Sequence, residues 1–439
     1  MRRRARSTPV TSDADSFSAL RDDPLRALQE LSELGDFVPF RVGRQEAILV
    51  SGGSAIRELL VSRNRWFTKQ NVLTTTGKVM SAGATGLMSS GDPDDHVRGR
   101  KIFSPSFASG RTHAYLESVA RHSASFADVC RGRGMDDVVA AMTSLTVGIT
   151  TDSVFGAPLS SERNAEIAEA SAAFVESFAL VTAPGFAFRN LLRVREARRF
   201  WRAQQTLEQF VDAAVLGGGS GGDVVAASAQ AKPAANVTAQ QRRSDLLAIL
   251  LAGVETTSMA LTWTCVLLAR HPEAQERLRE EARGVLDGVD PAPGSLEQLP
   301  FARAVFAEAL RLYPPSWFIG RRASVEQTLA GHVVPAETVI LVSPYLAHRD
   351  ERNFERAGEF LPGRWASDGK LASNELTYFP FGAGPRQCLG ERLAWLEGMI
   401  IPMHLVHRGR LVLDSPLPRA RAGASLAPDR RVRMRLEPF

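Results

Sequence analysis

The chain has 439 residues, of which 44% are hydrophobic and 23% charged, and a formal net charge of +5. This is ordinary globular composition, and a chain of this length buries a large core without staples, so disordered, collagen-like and disulfide-scaffold classes are excluded. The three cysteines, Cys130, Cys265 and Cys388, are too few and too widely spaced for a disulfide framework or a zinc knuckle.

Residues 1–22 are polar and read as a loose tail. No apolar run follows Arg2-Arg3-Arg4, and no stretch reaches the roughly 18 apolar residues of a membrane span, so an unexported, cytoplasmic protein without a membrane anchor is expected. Asp23 and Pro24 suit the cap and first position of a helix that Gly35 closes. Phe37 to Ser51 reads as a hairpin turning near Gly43. Residues 53–62 look helical, and 67–95, rich in Thr, Gly, Ser and Asp, look like a long loop. From Asp92 to about Val215 the pattern is mostly helical, interrupted by an apolar loop at 178–190. Residues 217–240 are low-complexity and read as a flexible connection between helices. Ser244 to Arg270 is hydrophobic nearly all round, which predicts a helix buried at the centre. Pro272 starts another helix, and 299–312 forms one stopped by Pro314-Pro315. Val339 to Val342 reads as a strand, and 353–387 as coil punctuated by Gly and Pro. A helix begins near Cys388, with Pro402 expected to kink or shorten it, and short strands end the chain. The expected fold is mainly α with a minor β portion, in one large domain over 23–439.

The strongest chemical signal is Phe381-Gly382-Ala383-Gly384-Pro385-Arg386-Gln387-Cys388-Leu389-Gly390. Glycines permit a tight turn, and a thiol beside a helix N-terminus is stabilised as thiolate. A thiolate so held, with Arg386 nearby for an anion, is what an axial haem ligand needs. The alternative, a buried structural cysteine, is the reading for Cys130 and Cys265. A second segment, Ala252-Gly253-Val254-Glu255-Thr256-Thr257, lies in the middle of the long helix. Glycine there costs about 1 kcal/mol relative to alanine, and Thr256 can bond the Ala252 carbonyl and distort the helix. Glu255 is an acid in an apolar setting, expensive to bury unpaired. Glu308 and Arg311 share a helix face at i, i+3, as do His96 and Arg100 at i, i+4. Alone, each of these pairs is also compatible with a solvated surface.

With these motifs in this order, the chain resembles the cytochrome P-450 family, the thiolate-haem monooxygenases, over roughly residues 25–438. The Cys388 loop matches the family's Phe-x-x-Gly-x-Arg-x-Cys-x-Gly pattern at every fixed position, and Ala394 and Glu397 also match. The resemblance implies the family's fold, with haem b held by Cys388 as axial ligand and seated among Phe381, Gly382, Gly390 and Ala252. His96, Arg100, Arg321 and Arg386 are then expected to hold its propionates. Thr256 with Glu255 is expected to deliver protons to bound O2. Glu308, Arg311 and Arg364 are expected to form a structural network. The substrate pocket would draw on Thr75, Met80, Met88, Phe178, Leu251, Trp317, Phe318, Ser425 and Leu426. These are mostly apolar, which suggests a lipophilic small molecule, for instance a terpenoid or polyketide of secondary metabolism, hydroxylated or epoxidised in one or more rounds. No second Gly-rich nucleotide unit is present, so electrons from NAD(P)H would arrive through a separate ferredoxin or flavodoxin and its reductase. Monomer is the default, and the scattered arginines lack the interleaved aromatics of a nucleic-acid reader. Two alternatives stay open: a partner-independent haem enzyme (peroxygenase, dehydratase or isomerase) and a hydrolase using Cys388 as nucleophile.

Overall fold

Asp23 opens the first helix, α1 (Pro24–Ser32), as its cap: the carboxylate accepts the Arg26 N–H at 3.2 Å. The protein is described by a computed structural model over residues 22–42, 45–69, 93–181, 194–217, 223–230, 238–286, 299–365 and 376–439. β1 (Phe37–Val42) and β2 (Gln45–Val50) form the expected antiparallel hairpin, with Phe37 opposite Val50. α2 (Gly53–Arg57) continues as one π turn over Glu58–Ser62. The strand β3 (Phe67–Lys69) occupies the start of the expected long loop, anchored by buried Phe67.

The helical stretch comprises α3 (Pro93–Phe103), α4 (Thr112–Cys130), α5 (Val138–Ile149), α6 (Ser161–Val181) and α7 (Val194–Leu216). The next helix, α8 (Asp223–Gln230), lies inside the segment expected to be a flexible connection. Val224 and Val225 are both buried, and that apolar pair docks one short helix in an otherwise Gly/Ala-rich stretch. α9 (Ala239–Arg270) runs 32 residues, about 48 Å at 1.5 Å per residue. It starts ahead of the apolar run because Thr238 caps it, accepting the Gln241 N–H at 3.1 Å. By length and hydropathy α9 could cross a bilayer, yet most of its apolar window is buried inside the protein.

α10 (Pro272–Leu286) and α11 (Pro300–Leu312) follow, then β4 (Ile319–Ala323), β5 (Gln327–Leu329), β6 (His332–Val334), β7 (Val339–Val342) and α12 (Pro344–Ala347). The chain closes with α13 (Glu391–Arg408), β8 (Arg410–Leu413), β9 (Ala420–Ala422), β10 (Leu426–Pro428) and β11 (Met434–Glu437). Pro402 does not end α13. The carbonyl a helical proline crowds is that of residue i−4, here Gly398. A Cβ on Gly398 would lie 2.3 Å from the Phe306 ring, so α11 packs directly on that turn. Packing on a fully buried segment outweighs the one lost backbone bond.

Contacts divide the chain into two compact units, each assembled from several segments. The smaller holds Met1–Val72, Trp317–Ala357 and Ala372–Gln387, and the larger holds Leu73–Ser316, Gly358–Leu371 and Cys388–Phe439. In the smaller, a five-stranded sheet has the order β1-β2-β7-β4-β3. β2 and β7 pair in parallel, with Ile48 opposite Ile340, and the other pairs are antiparallel. Its core includes Ile48, Val50, Leu59, Phe67, Val342 and Phe379. The larger unit is helical, with short β-pairs near its C-terminus, and packs around α9 through Leu250, Val254, Leu261, Trp263 and Leu268. The fold is mainly α with a minor β portion.

Candidate active site

Two left-handed glycines shape the loop before Cys388: Gly382 at φ +71 and Gly384 at φ +69. A Cβ on Gly384 would come 2.1 Å from the Leu60 carbonyl oxygen, so only glycine lets the loop lie against the π turn. Phe381 is half-buried at the start of this loop. Cys388 follows, in the larger unit, and α13 begins just beyond it with Gly390 as cap. The thiol receives hydrogen bonds from the backbone N–H groups of Gly390 and Glu391, and Arg100 of α3 is near enough to favour its charge. Burial nevertheless dominates, Glu391 adds to it, and the thiol is pushed up to about 11. The N–H groups expected around a thiol at a helix start are present, and desolvation acts against them. The side chain is open to solvent. Gly390 has ordinary helical φ, and a Cβ there would meet no protein atom.

α9 is buried along most of its length, but residues 247–248, 251–253 and 255–256 are partly or fully open. These positions form one i, i+4, i+8 stripe, a gap in the packing at the middle of the central helix. Thr256 is its most open member, and its Oγ1 donates to the Ala252 carbonyl at 2.7 Å. The hydroxyl proton is thereby engaged, so Thr256 offers lone pairs to whatever enters the gap. Gly253 lets the segment after α5 approach: a Cβ there would lie 3.4 Å from the Thr150 hydroxyl. Glu255 has its carboxyl pKa raised, first by burial and also by Glu176 of α6, against a hydrogen bond from Ser425 that lowers it. Next along α9, Thr257 hydrogen-bonds Glu397 of α13, whose buried carboxyl is pushed up to about 8.

In the smaller unit, the register sets Lys69 of β3 directly opposite Arg321 of β4. Both are depressed, first by burial and then by the positive charge of Arg386, Lys69 to about 8 and Arg321 to about 10. Burial also lowers Arg386. Arg321 Nη1 donates to its neighbour's carbonyl on Gly320 at 3.0 Å, while its buried Nε has no hydrogen-bond partner. Like charges facing across a strand pair are destabilising, and such a cluster is of the right sign for carboxylates. Lys69 was not among the sequence-based candidates. A single lysine after Thr68 carries no pattern, and only the strand register reveals it.

His96 is buried and Arg100 half-buried on α3. Burial lowers the Arg100 pKa, and Cys388 partly offsets that. Glu308 is fully buried and joins the chain around it: it accepts Arg311 Nε at 2.8 Å, Arg364 Nε at 3.0 Å, Trp365 Nε1 at 2.9 Å and the Leu361 N–H at 2.9 Å. Of the expected pocket residues, Leu251 and Phe318 are half-buried, while Trp317, Ser425 and Leu426 are buried. Thr75, Met80 and Met88 lie outside the described residues, as does the side chain of Phe178.

The donor set fits a haem. A solvent-open cysteine with a cation beside it suits an axial ligand, and a bound metal cation would deprotonate the thiol that burial keeps protonated. The orphaned Arg321 Nε and its cationic neighbours suit carboxylates. The gap on α9 leaves space beside a helix that is otherwise packed.

A family model for cytochrome P-450 matches residues 17–425. Cyclooctatin synthase of Streptomyces melanosporofaciens is 30% identical over 88% of this chain and 85% of its own. Cyclooctat-9-en-7-ol 5-monooxygenase of the same organism is 29% identical, over 90% and 86%. Pentalenene oxygenase of Streptomyces avermitilis is 26% identical, over 94% and 92%. The solved structure of CYP175A1 from Thermus thermophilus superposes with a TM-score of 0.78 at 24% identity, covering 98% of this chain and all of its own. A 6-coordinated cytochrome P-450 from the same species gives 0.73 at 25%, covering 94% of this chain and 98% of its own. The family model, the similarity along nearly the whole length and the cysteine loop agree, and the chain belongs to the cytochrome P-450 family of haem monooxygenases.

Proposed function

We propose that this enzyme inserts one oxygen atom from O2 into a terpenoid of secondary metabolism, with electrons relayed from NAD(P)H by a separate ferredoxin or flavodoxin and its reductase. The carrying observation is the open stripe on α9, where apolar Leu247, Ala248, Leu251 and Ala252 lie beside Thr256 and Glu255 in an otherwise buried helix. The similarity to oxygenases named for cyclooctatin and pentalenene supports the terpenoid class.

Cys388 is the group that would hold the iron, and Lys69, Arg100, Arg321 and Arg386, with His96, are those that would hold the carboxylates. Bound haem supplies the one-electron and O2 chemistry, which a thiolate ligand biases towards O–O cleavage. The apolar stripe orients a hydrocarbon and excludes bulk water. Thr256 Oγ1, with its own proton given to Ala252, accepts from a water or hydroxyl in the gap and so orders a proton donor there. Burial raises the Glu255 carboxyl pKa and so favours its protonated form, one residue from Thr256. Arg98, Lys101 and Arg392 are the cations we assign to an acidic redox partner, setting on-rate more than affinity. The same reading makes the protein cytoplasmic and monomeric.

The test is the absorbance of the purified, reduced protein with and without carbon monoxide, followed by titration with terpene hydrocarbons and alcohols. A Soret band well to the red of the histidine-ligated position, and a spin-state shift with terpenes, are expected. A histidine-type band would sink the ligand assignment, and a spin shift only with non-terpenoid ligands would sink the substrate class.

A further inference from the structure

The coil that leads into the cysteine loop is buried at Phe379, and a buried backbone N–H needs a partner. No strand ladder supplies one there. The acceptor is a side chain 31 residues earlier: the Phe379 N–H donates to His348 Nε2 at 3.0 Å. His348 is fully buried, and its ring packs on those of Tyr378, Phe379 and Phe354, with centroids 5.0, 5.4 and 6.4 Å away. Its backbone is set as firmly. The His348 N–H donates to the Pro344 carbonyl at 2.9 Å. Ser343 caps α12 just before it, and the same hydroxyl donates to the Trp317 carbonyl at 2.7 Å. The imidazole is thus a fixed acceptor, and Nε2 accepts only from the neutral ring with its proton on Nδ1.

The bond fixes more than one residue. The Phe379 carbonyl accepts the Gly382 N–H at 2.9 Å, so the peptide groups on both sides of Phe379 are tied. Its ring belongs to the core of the smaller unit. From there the loop is closed step by step. Gly382 and Gly384 hold positive φ, Gly384 lies against the Leu60 carbonyl, and the Gln387 N–H donates to the Gly384 carbonyl at 3.0 Å. Cys388 is the next residue. We propose that His348 is a positioning residue for the iron ligand: by accepting the Phe379 N–H it sets the start of the loop that presents Cys388. Groups that orient a metal ligand without touching the metal change its affinity about 10–100-fold when removed. The proposal rests on the reading of Cys388 as that ligand.

The test compares the haem-loaded full chain with His348→Gln, His348→Asn and His348→Leu. The two amides carry an oxygen that accepts an N–H, and leucine carries no acceptor. The first readout is nitrogen NMR of the diamagnetic ferrous–carbon monoxide complex with isotope-labelled histidine. The imidazole signals missing from His348→Gln identify the residue, and they are expected to show a bare Nε2 and a protonated Nδ1. The second readout is the absorbance of the same complex in mild urea, followed with time. The leucine variant is expected to pass from the thiolate-type to the histidine-type band about tenfold faster than wild type, the equivalent of one buried N–H left unpaired. At least one amide variant is expected to restore most of that difference. A protonated Nε2 in wild type, or a leucine variant that converts as slowly as wild type, would overturn the proposal. Amide variants that both convert as fast as leucine would overturn it too, since ring shape and not the acceptor would then decide. Should the leucine variant take up no haem, uptake by an amide variant supports the acceptor role, and loss in all three refutes it. A wild-type band already at the histidine-type position would instead sink the ligand assignment, and the proposal with it.

Discussion

A methyl group added at Gly384 would sit 2.1 Å from the Leu60 carbonyl, on backbone held at φ +69. At Gly390 the same methyl would meet no protein atom, and φ is unremarkable. The two glycines of one motif thus have different causes, and paired variants separate them. Gly384→Ala is expected to cost roughly 1–3 kcal/mol of stability whether or not haem is bound. Gly390→Ala is expected to leave haem-free stability within about 0.5 kcal/mol and to weaken haem retention. Denaturation midpoints and haem content report both, and equal loss of stability in the two would refute the distinction. Thr256 is argued from the same kind of detail. Its proton is bound to Ala252, so the hydroxyl works as an acceptor that orders a donor. Thr256→Ala is expected to release several-fold more peroxide per O2, and Thr256→Ser to restore coupling. Unchanged coupling in the alanine variant would remove Thr256 from proton delivery.

Elements with local causes were legible in the sequence. Asp23 and Pro24 started α1, the apolar run marked α9, and Val339 to Val342 gave β7. Cues based on breaking patterns misled twice. Pro402 did not stop α13, because Phe306 packs on Gly398 one turn earlier, and the Gly/Ala-rich connection contains α8, because two adjacent valines found a core. The cationic cluster was legible only in part, since Arg321 and Arg386 belong to motifs and Lys69 does not. Its position opposite Arg321 is a property of the β3–β4 register. The sign of its effect follows first from burial, then from the charges of Arg386 and Arg321. A lysine depressed to about 8 in the fold, from 10.5, binds fewer protons than in the unfolded chain between those values. Its cost is complete below pH 8 and disappears as pH rises through 10.5. Lys69→Met is therefore expected to stabilise the haem-free protein at neutral pH by about 1–2 kcal/mol, after allowing for the partial exposure of Lys69. It is expected to weaken haem binding at the same time. A variant less stable than wild type without haem would show that no such repulsion exists.

At the scale of the whole molecule, what the sequence hid was contact between distant segments. Leu426 accepts Trp263 Nε1 of α9, and Glu397, which the motif marked only by type, meets Thr257. No periodicity encodes either pair, because each depends on where a late segment returns to α9. The second pair carries a global consequence. Glu397 is buried, its Oε1 lacks a hydrogen-bond partner, and its carboxyl stands at about 8 against 4.5 for the unperturbed group. Between those values the folded protein holds a proton that the unfolded chain has released. Stability then falls as pH rises, by at most about 1.4 kcal/mol per pH unit. The protonated form is favoured throughout, so this contribution is complete below about pH 4.5 and gone above about pH 8. Glu397→Gln keeps an amide for Thr257 to bond and cannot titrate. Urea unfolding from about pH 5 to about pH 8 is therefore expected to show wild type losing up to about 4 kcal/mol relative to the variant, with the two curves converging at the acid end. Curves that run parallel across that range would mean Glu397 titrates alike in both states, and that the link between α9 and α13 does not depend on a held proton.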